Sequence, residues 1–141
     1  MIGRLLGIDH GTVRIGLAIS DALGISAREL DIIANNDDTF TEINRIAREQ
    51  NAVGLVIGIP TDERNPKQST IVLQWVKELR EATTLPIKLW DEVLSSADAL
   101  EMAKELRRKQ GDPIDDLAAR VILQSYVNAL SDGLATPPSL D

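Results

Sequence analysis

The chain has 141 residues, 43% hydrophobic and 26% charged, which suits one globular domain able to enclose its own core. It has no cysteine and a single histidine, His10, so disulfides, thiolate metal sites and cysteine nucleophiles are excluded and carboxylates must carry most of any chemistry. The net charge of −7 argues against a passive nucleic-acid binder, which ordinarily shows a basic surface, although carboxylates clustered around cations are counter-charged by them.

At the amino terminus Gly7 and Asp9 interrupt the apolar stretch before a signal-peptide core could form, so a cytoplasmic location is expected. Arg4–Asp9 is short, apolar and closed by an acid, and reads as a buried strand. Arg14–Asp21 alternates, with Ile15, Leu17 and Ile19 on one side and Gly16, Ala18 and Ser20 on the other. That is a strand whose small-residue face can lie close to a packed element. Gly11-Thr12 joins the two as a hairpin connection, and Ala27–Ile33 is a third strand closed by the turn-forming run Asn35-Asn36-Asp37-Asp38.

Thr39 with Glu42 three residues on has the form of a capping box, opening a helix with Phe40, Ile43, Ile46 and Ala47 on its apolar stripe. Leu55–Ile59 is a continuous apolar run, the pattern of a strand covered on both faces. The charged loop Pro60–Lys67 follows. Ile71, Val72, Trp75, Val76, Leu79 and Ala82 recur at helical spacing over Gln68–Ala82. Ile87–Trp90 is the next strand and runs into Asp91-Glu92; a helix covers about Ala97–Lys109. The last helix is expected to start from Asp112 as N-cap and Pro113 in the first turn, and to run to about Leu130. No apolar run approaches the roughly 18 residues of a membrane span, so no membrane partner is expected. The reading is a single α/β domain over residues 1–130, with a five-stranded mixed sheet (three antiparallel strands, then parallel ones) and helices on both faces. Residues 131–141, with two prolines and little to bury, are expected to form a mobile tail.

The acids fall at telling places. Asp9 closes the first buried strand, Asp91 and Glu92 close the last, and Asp115 and Asp116 sit in the first turn of the final helix. Ligands collect at the carboxyl ends of strands in α/β sheets, and carboxylate oxygens are what magnesium prefers. Two such ions can hold a phosphodiester, activate water and stabilise the leaving oxygen. Asp115 and Asp116 also suit the positive end of a helix dipole without any metal. Helix geometry separates them: Asp115 shares a face with Ala118, Ala119, Ile122 and Tyr126, whereas Asp116 shares one with Arg120 and should lean outward. His10, the neighbour of Asp9, should point away from it if the strand is regular there.

The run Leu6-Gly7-Ile8-Asp9-His10-Gly11-Thr12-Val13-Arg14-Ile15-Gly16-Leu17-Ala18-Ile19-Ser20-Asp21 resembles the opening block of the YqgF family. Those are ribonuclease H-like proteins described as Holliday junction resolvase-like and as nucleases maturing the small-subunit ribosomal RNA precursor. Gly58-Ile59-Pro60, Asp91-Glu92 with Leu94-Ser95-Ser96, and Ile114-Asp115 followed by Ala118-Ala119 and Ile122-Leu123-Gln124-Ser125-Tyr126 resemble its later blocks. The resemblance implies a ribonuclease H-like fold and a metal-dependent endonuclease, with Asp9, Glu92 and Asp115 as catalytic, metal-holding acids for Mg²⁺ or Mn²⁺. It implies a nucleic-acid partner, the 5′ end of pre-16S rRNA or alternatively a four-way DNA junction, and a monomer or homodimer. Gly11, Thr12, Arg14, Arg64 and Lys67 are the candidate substrate contacts. Two departures stand out: Val93 where the family has Arg, and no Asp-Gly turn in the loop after Pro60. Two other readings compete: a nucleotide-binding module, because Asp9-His10-Gly11-Thr12 also resembles the phosphate loop of sugar kinases and actin-like ATPases, and a non-catalytic interaction module of the same fold.

Overall fold

The computed structural model describes residues 3–60, 66–91, 101–109 and 112–139. In chain order its main elements are β1 (Arg4–His10), β2 (Arg14–Ser20), β3 (Ala27–Ala34), α1 (Thr39–Glu49), β4 (Ala52–Ile59), α2 (Pro66–Ala82), β5 (Ile87–Asp91) and α3 (Asp115–Ser131). The strands form one five-stranded sheet in the order β3-β2-β1-β4-β5. β1, β2 and β3 are antiparallel neighbours, while β4 and β5 run parallel to β1. This is the mixed sheet expected from the sequence.

Strand alternation sorts the side chains into two layers. Leu6 and Ile8 of β1, Ile15, Leu17 and Ile19 of β2, and Leu55 and Ile57 of β4 pack against Ile43, Ile46 and Ala47 of α1 and Val72, Trp75, Val76 and Leu79 of α2. Leu5, Ala18 and Val56 face the other way, onto Ala119, Ile122, Leu123, Tyr126 and Val127 of α3. Helices therefore cover both faces.

On the α3 side the sheet also carries two glycines, and they set how near the helix lies. A Cβ on Gly7 would stand 2.8 Å from Leu123 Cβ and 3.2 Å from the Ala119 carbonyl oxygen. A Cβ on Gly16 would fall 1.9 Å from the carbonyl oxygen of Asp115. Helix backbone thus rests directly on strand backbone, with Asp115, Ala119 and Leu123 repeating every four residues along the contact.

Three local expectations are corrected. Thr39 is not the N-cap of α1 but its first residue; Asp38 precedes it and makes no side-chain cap. The buried Thr39 hydroxyl donates to the Ala34 carbonyl at 3.0 Å and accepts from the Asn36 N–H at 2.7 Å, so it serves the β3–α1 turn. Likewise Asp112 and Pro113 precede α3, whose N-cap is Ile114. The Asp112 carboxylate instead accepts the Lys109 N–H at 2.8 Å. Finally, the helix expected over residues 97–109 ends early: 101–105 are helical and 106–109 are not, while 97–100 lie outside the described residues. Arg107 takes a left-handed conformation (φ 58) and the Arg108 N–H bonds the Ala103 carbonyl, a helix-ending pattern.

The segment after α3 is mostly exposed but touches the sheet and helix at a few points. Ala135 packs on the α3 layer, Lys88 Nζ donates to Thr136 Oγ1 at 3.2 Å, and the Tyr126 hydroxyl donates to the Thr136 carbonyl. Among the described residues no helix is long and apolar enough to cross a membrane.

Two predictions follow from this packing. Gly16→Ala drives a methyl into helix backbone, so we expect it to cost about 3 kcal/mol in a urea titration. Burial pushes the Tyr126 hydroxyl up to about 12 from a usual value near 10. The fold thus favours the neutral phenol, and this stabilisation is fully present below pH 10 and fades as pH rises towards 12. Denaturation at a series of alkaline pH values should show that loss in the wild type and not in Tyr126→Phe, which should itself cost about 1 kcal/mol at neutral pH.

Candidate active site

Asp9 and Asp115 are brought together by the contact that Gly16 permits. Asp9 shares its strand face with Leu5 and Gly7, the α3 face, and pairs across the ladder with Gly16. Because the Asp115 backbone rests on Gly16, the two acids lie at the same corner of the molecule, where the central strand ends and α3 begins. Both are partly buried. Asp115 Oδ2 accepts a hydrogen bond from Arg14 Nε at 3.0 Å.

The assignment of Asp116 to the outer side of the helix is corrected. It is the more buried of the pair, at 8% exposure. Arg108 clasps it with two bonds, of 2.7 and 2.9 Å, and its Oδ1 also accepts the Leu117 N–H. The segment through residues 101–109 covers this side of α3, with Ala103 packed on Leu117 and Ala118. Sequence spacing could not reveal a layer contributed by another segment. Asp116 is thereby committed to holding that segment, while Asp115, paired with Arg14, is the helix acid left at the corner where β1 ends. Arg120 faces Glu29 on β3 instead, at 3.0 Å.

His10 takes the opposite sheet face from Asp9, as alternation requires. Its ring packs 4.8 Å from that of Trp75. Burial lowers its pKa below 6.5, its own backbone hydrogen bond acting weakly the other way, so it is a neutral packing group at pH 7. Asn35, read from the sequence only as part of the turn after β3, donates through Nδ2 to the Gly11 carbonyl at 2.8 Å and braces the β1–β2 turn. Gly11 is needed there, since a Cβ would meet the Arg14 carbonyl oxygen at 2.4 Å.

Of the candidate substrate contacts, Gly11, Thr12 and Arg14 sit on or beside this turn, with Thr12 and Arg14 exposed. Lys67 is exposed in the first turn of α2, in the layer opposite α3. Arg64, Glu92 and Val93 lie outside the described residues. Asp91 ends β5 with the parity of Ile87 and Leu89, on the α1/α2 face, and so is turned away from Asp9. Asp9 and Asp115 offer oxygen donors only, the chemistry that suits magnesium or manganese. Among the described residues no group of three or more His, Cys, Asp or Glu side chains is gathered to hold a metal; the described part of the site supplies two acids.

A family model described as "RuvX: Holliday junction resolvase" matches residues 3–129. The chain belongs to this family. Its membership makes the YqgF resemblance a finding and places it among nucleases. A "Putative pre-16S rRNA nuclease" of Thermoanaerobacter pseudethanolicus is 36% identical over 134 residues, covering 89% of this chain and 96% of its own. The protein of the same name from Ligilactobacillus salivarius is 34% identical over 138 residues, covering 91% and 94%. Among solved structures, T. thermophilus RuvC in complex with Holliday junction substrate superposes with a TM-score of 0.61 at 14% identity, covering 95% of this chain and 99% of that one. Fowlpox virus resolvase in complex with junction DNA gives 0.57 at 11% identity, covering 90% and 98%. At such identities the likeness shows the fold, which is ribonuclease H-like.

The two neighbouring acids should separate cleanly on mutation. Asp116→Asn should cost about 1–3 kcal/mol of stability by leaving the partly buried Arg108 without its partner. Asp115→Asn should cost less than about 1 kcal/mol, its ion pair being more exposed. Paired urea titrations measure both.

Proposed function

We propose that this protein is a metal-dependent endonuclease that hydrolyses phosphodiester bonds while processing the 5′ end of pre-16S rRNA. The observation that carries the reading is the placing of Asp9 and Asp115 at one corner, on one face of the sheet, from opposite ends of the chain. Asp9, Asp115 and Glu92 would hold Mg²⁺ or Mn²⁺. Glu92 is preferred to Asp91 because Asp91 belongs to the other face. When bound, such ions polarise the phosphodiester, activate the attacking water and stabilise the leaving oxygen.

The chain's own residues supply position. β1 is the central strand, bonded to β2 and β4, so Asp9 is anchored at the end of a strand interior to the sheet and paired there with Gly16. The α3 contact holds the backbone of Asp115 against the same place. Gly11, Thr12 and Arg14 present the turn and a cation to the substrate backbone, with Arg64 and Lys67 as further basic contacts. The rRNA substrate follows the relatives' names, and it would place the protein in the cytoplasm. A second reading, cleavage of four-way DNA junctions, is favoured by the family's own description and by the junction-bound RuvC neighbour.

Purified protein incubated with a pre-16S rRNA and, separately, with a four-way junction would distinguish these. We expect metal-dependent cutting of the rRNA precursor, reduced at least about a hundredfold in Asp9→Asn, since even outer-sphere changes at metal sites cost up to that much. Cutting of the junction alone would transfer the assignment to DNA. Folded protein that cuts neither would overturn the nuclease reading.

A further inference from the structure

The two helix acids hold their arginines in different ways. Arg108 grips Asp116 with both terminal nitrogens, and the side chains are 23% and 11% exposed. Arg14 approaches Asp115 side-on through Nε, and the side chains are 50% and 20% exposed. The first pair is a sealed clasp. The second is open to solvent and weak, as exposed ion pairs are, and its cation sits on a long flexible stem.

The backbones on either side of this weak contact are nevertheless fixed. Arg14 begins β2 and pairs with Ala34 of β3. Asp115 is held against Gly16, two residues from Arg14. The guanidinium is therefore the mobile part, anchored beside the corner where Asp9 lies. The Gly11–Thr12 turn, with its exposed Thr12, lies one residue before it.

We propose that Arg14 is an exchange cation that couples metal and nucleic-acid binding. Arg14 competes with a divalent ion for Asp115 Oδ2, because two cations at one carboxylate oxygen repel one another. It turns instead to a phosphodiester oxygen of the substrate, for which a guanidinium is well shaped. Substrate thus draws the arginine away and leaves Asp115 to the metal, and metal on Asp115 leaves the arginine to the substrate. By linkage the two effects are equal in size. In a protein of net charge −7, either ligand alone breaks the Arg14–Asp115 pair, so the second binds without that cost and the assembled complex is favoured over either partial one. The inference rests on the nuclease reading of this site.

The test is Mn²⁺ affinity, read as free Mn²⁺ by electron paramagnetic resonance, for wild type, Arg14→Gln and Arg14→Lys, alongside Asp9→Asn. Binding of a single-stranded RNA oligonucleotide is followed by fluorescence anisotropy in EDTA. We expect Arg14→Gln to bind Mn²⁺ about two- to five-fold more tightly, the worth of an exposed ion pair. The same variant should bind RNA more weakly, with the salt dependence lowered by about one phosphate contact. Arg14→Lys, which keeps the charge, should stay near wild type in salt dependence and also shows whether the position tolerates change. A residue that merely orients Asp115 would instead loosen Mn²⁺ when removed. Mn²⁺ binding that is lost in Asp9→Asn but unchanged or weakened in Arg14→Gln overturns this proposal alone. Wild-type protein showing no Mn²⁺ binding that depends on Asp9 overturns the metal site and this proposal with it.

Discussion

The contact of α3 with the sheet through Gly7 and Gly16 is the constraint on which the site depends. A helix ordinarily packs on a sheet through layers of side chains. Here two positions carry none, and the helix backbone comes down onto the strands, with the Asp115 carbonyl where a Gly16 Cβ would be. Gly16 is also the ladder partner of Asp9. One steric fact therefore sets the helix height, its register along β1 and the juxtaposition of the two acids. The larger residues of the same helix, Ile122, Leu123, Tyr126 and Val127, then bury against Leu5, Ala18 and Val56 and hold it there.

Charge is distributed with equal economy. Adjacent carboxylates at a helix start are each favoured by the helix dipole, but a shared corner would set them against each other. The structure divides them: Asp116 turns under the 101–109 segment and meets Arg108, while Asp115 meets Arg14 at the start of β2. The left-handed turn at Arg107 ends the preceding helix and delivers Arg108 to its carboxylate. The acid that holds the covering segment and the candidate site acid are next to each other in sequence and distinguished by what covers them.

Much of this was legible beforehand for a plain reason: periodicity survives folding. The alternation of β1 and β2 separates Leu6, Ile8, Ile15 and Leu17 from Gly7, Gly16 and Ala18, and with them Asp9 from His10. The stripe of Trp75, Val76 and Leu79 locates α2. Cap residues were less readable, because Thr39 and Asp112 each had a competing backbone partner in a neighbouring turn that spacing does not disclose. The outward placing of Asp116 failed for a related reason: a helical wheel knows which residues share a face, not what lies against it.

The sequence by itself determined the strand and helix order and the two-faced sheet, and it set Asp9 on the opposite face from His10, since these follow from local pattern and strand alternation. It also marked Gly16 as a small residue on a close-packing face. Only the tertiary structure decided that the helix start lands on that glycine, that Arg14 reaches Asp115 across 101 positions of chain, and that Arg108 claims Asp116. Those pairings depend on distances between elements, which arise from packing three layers together and leave no trace in the spacing of residues along any one of them.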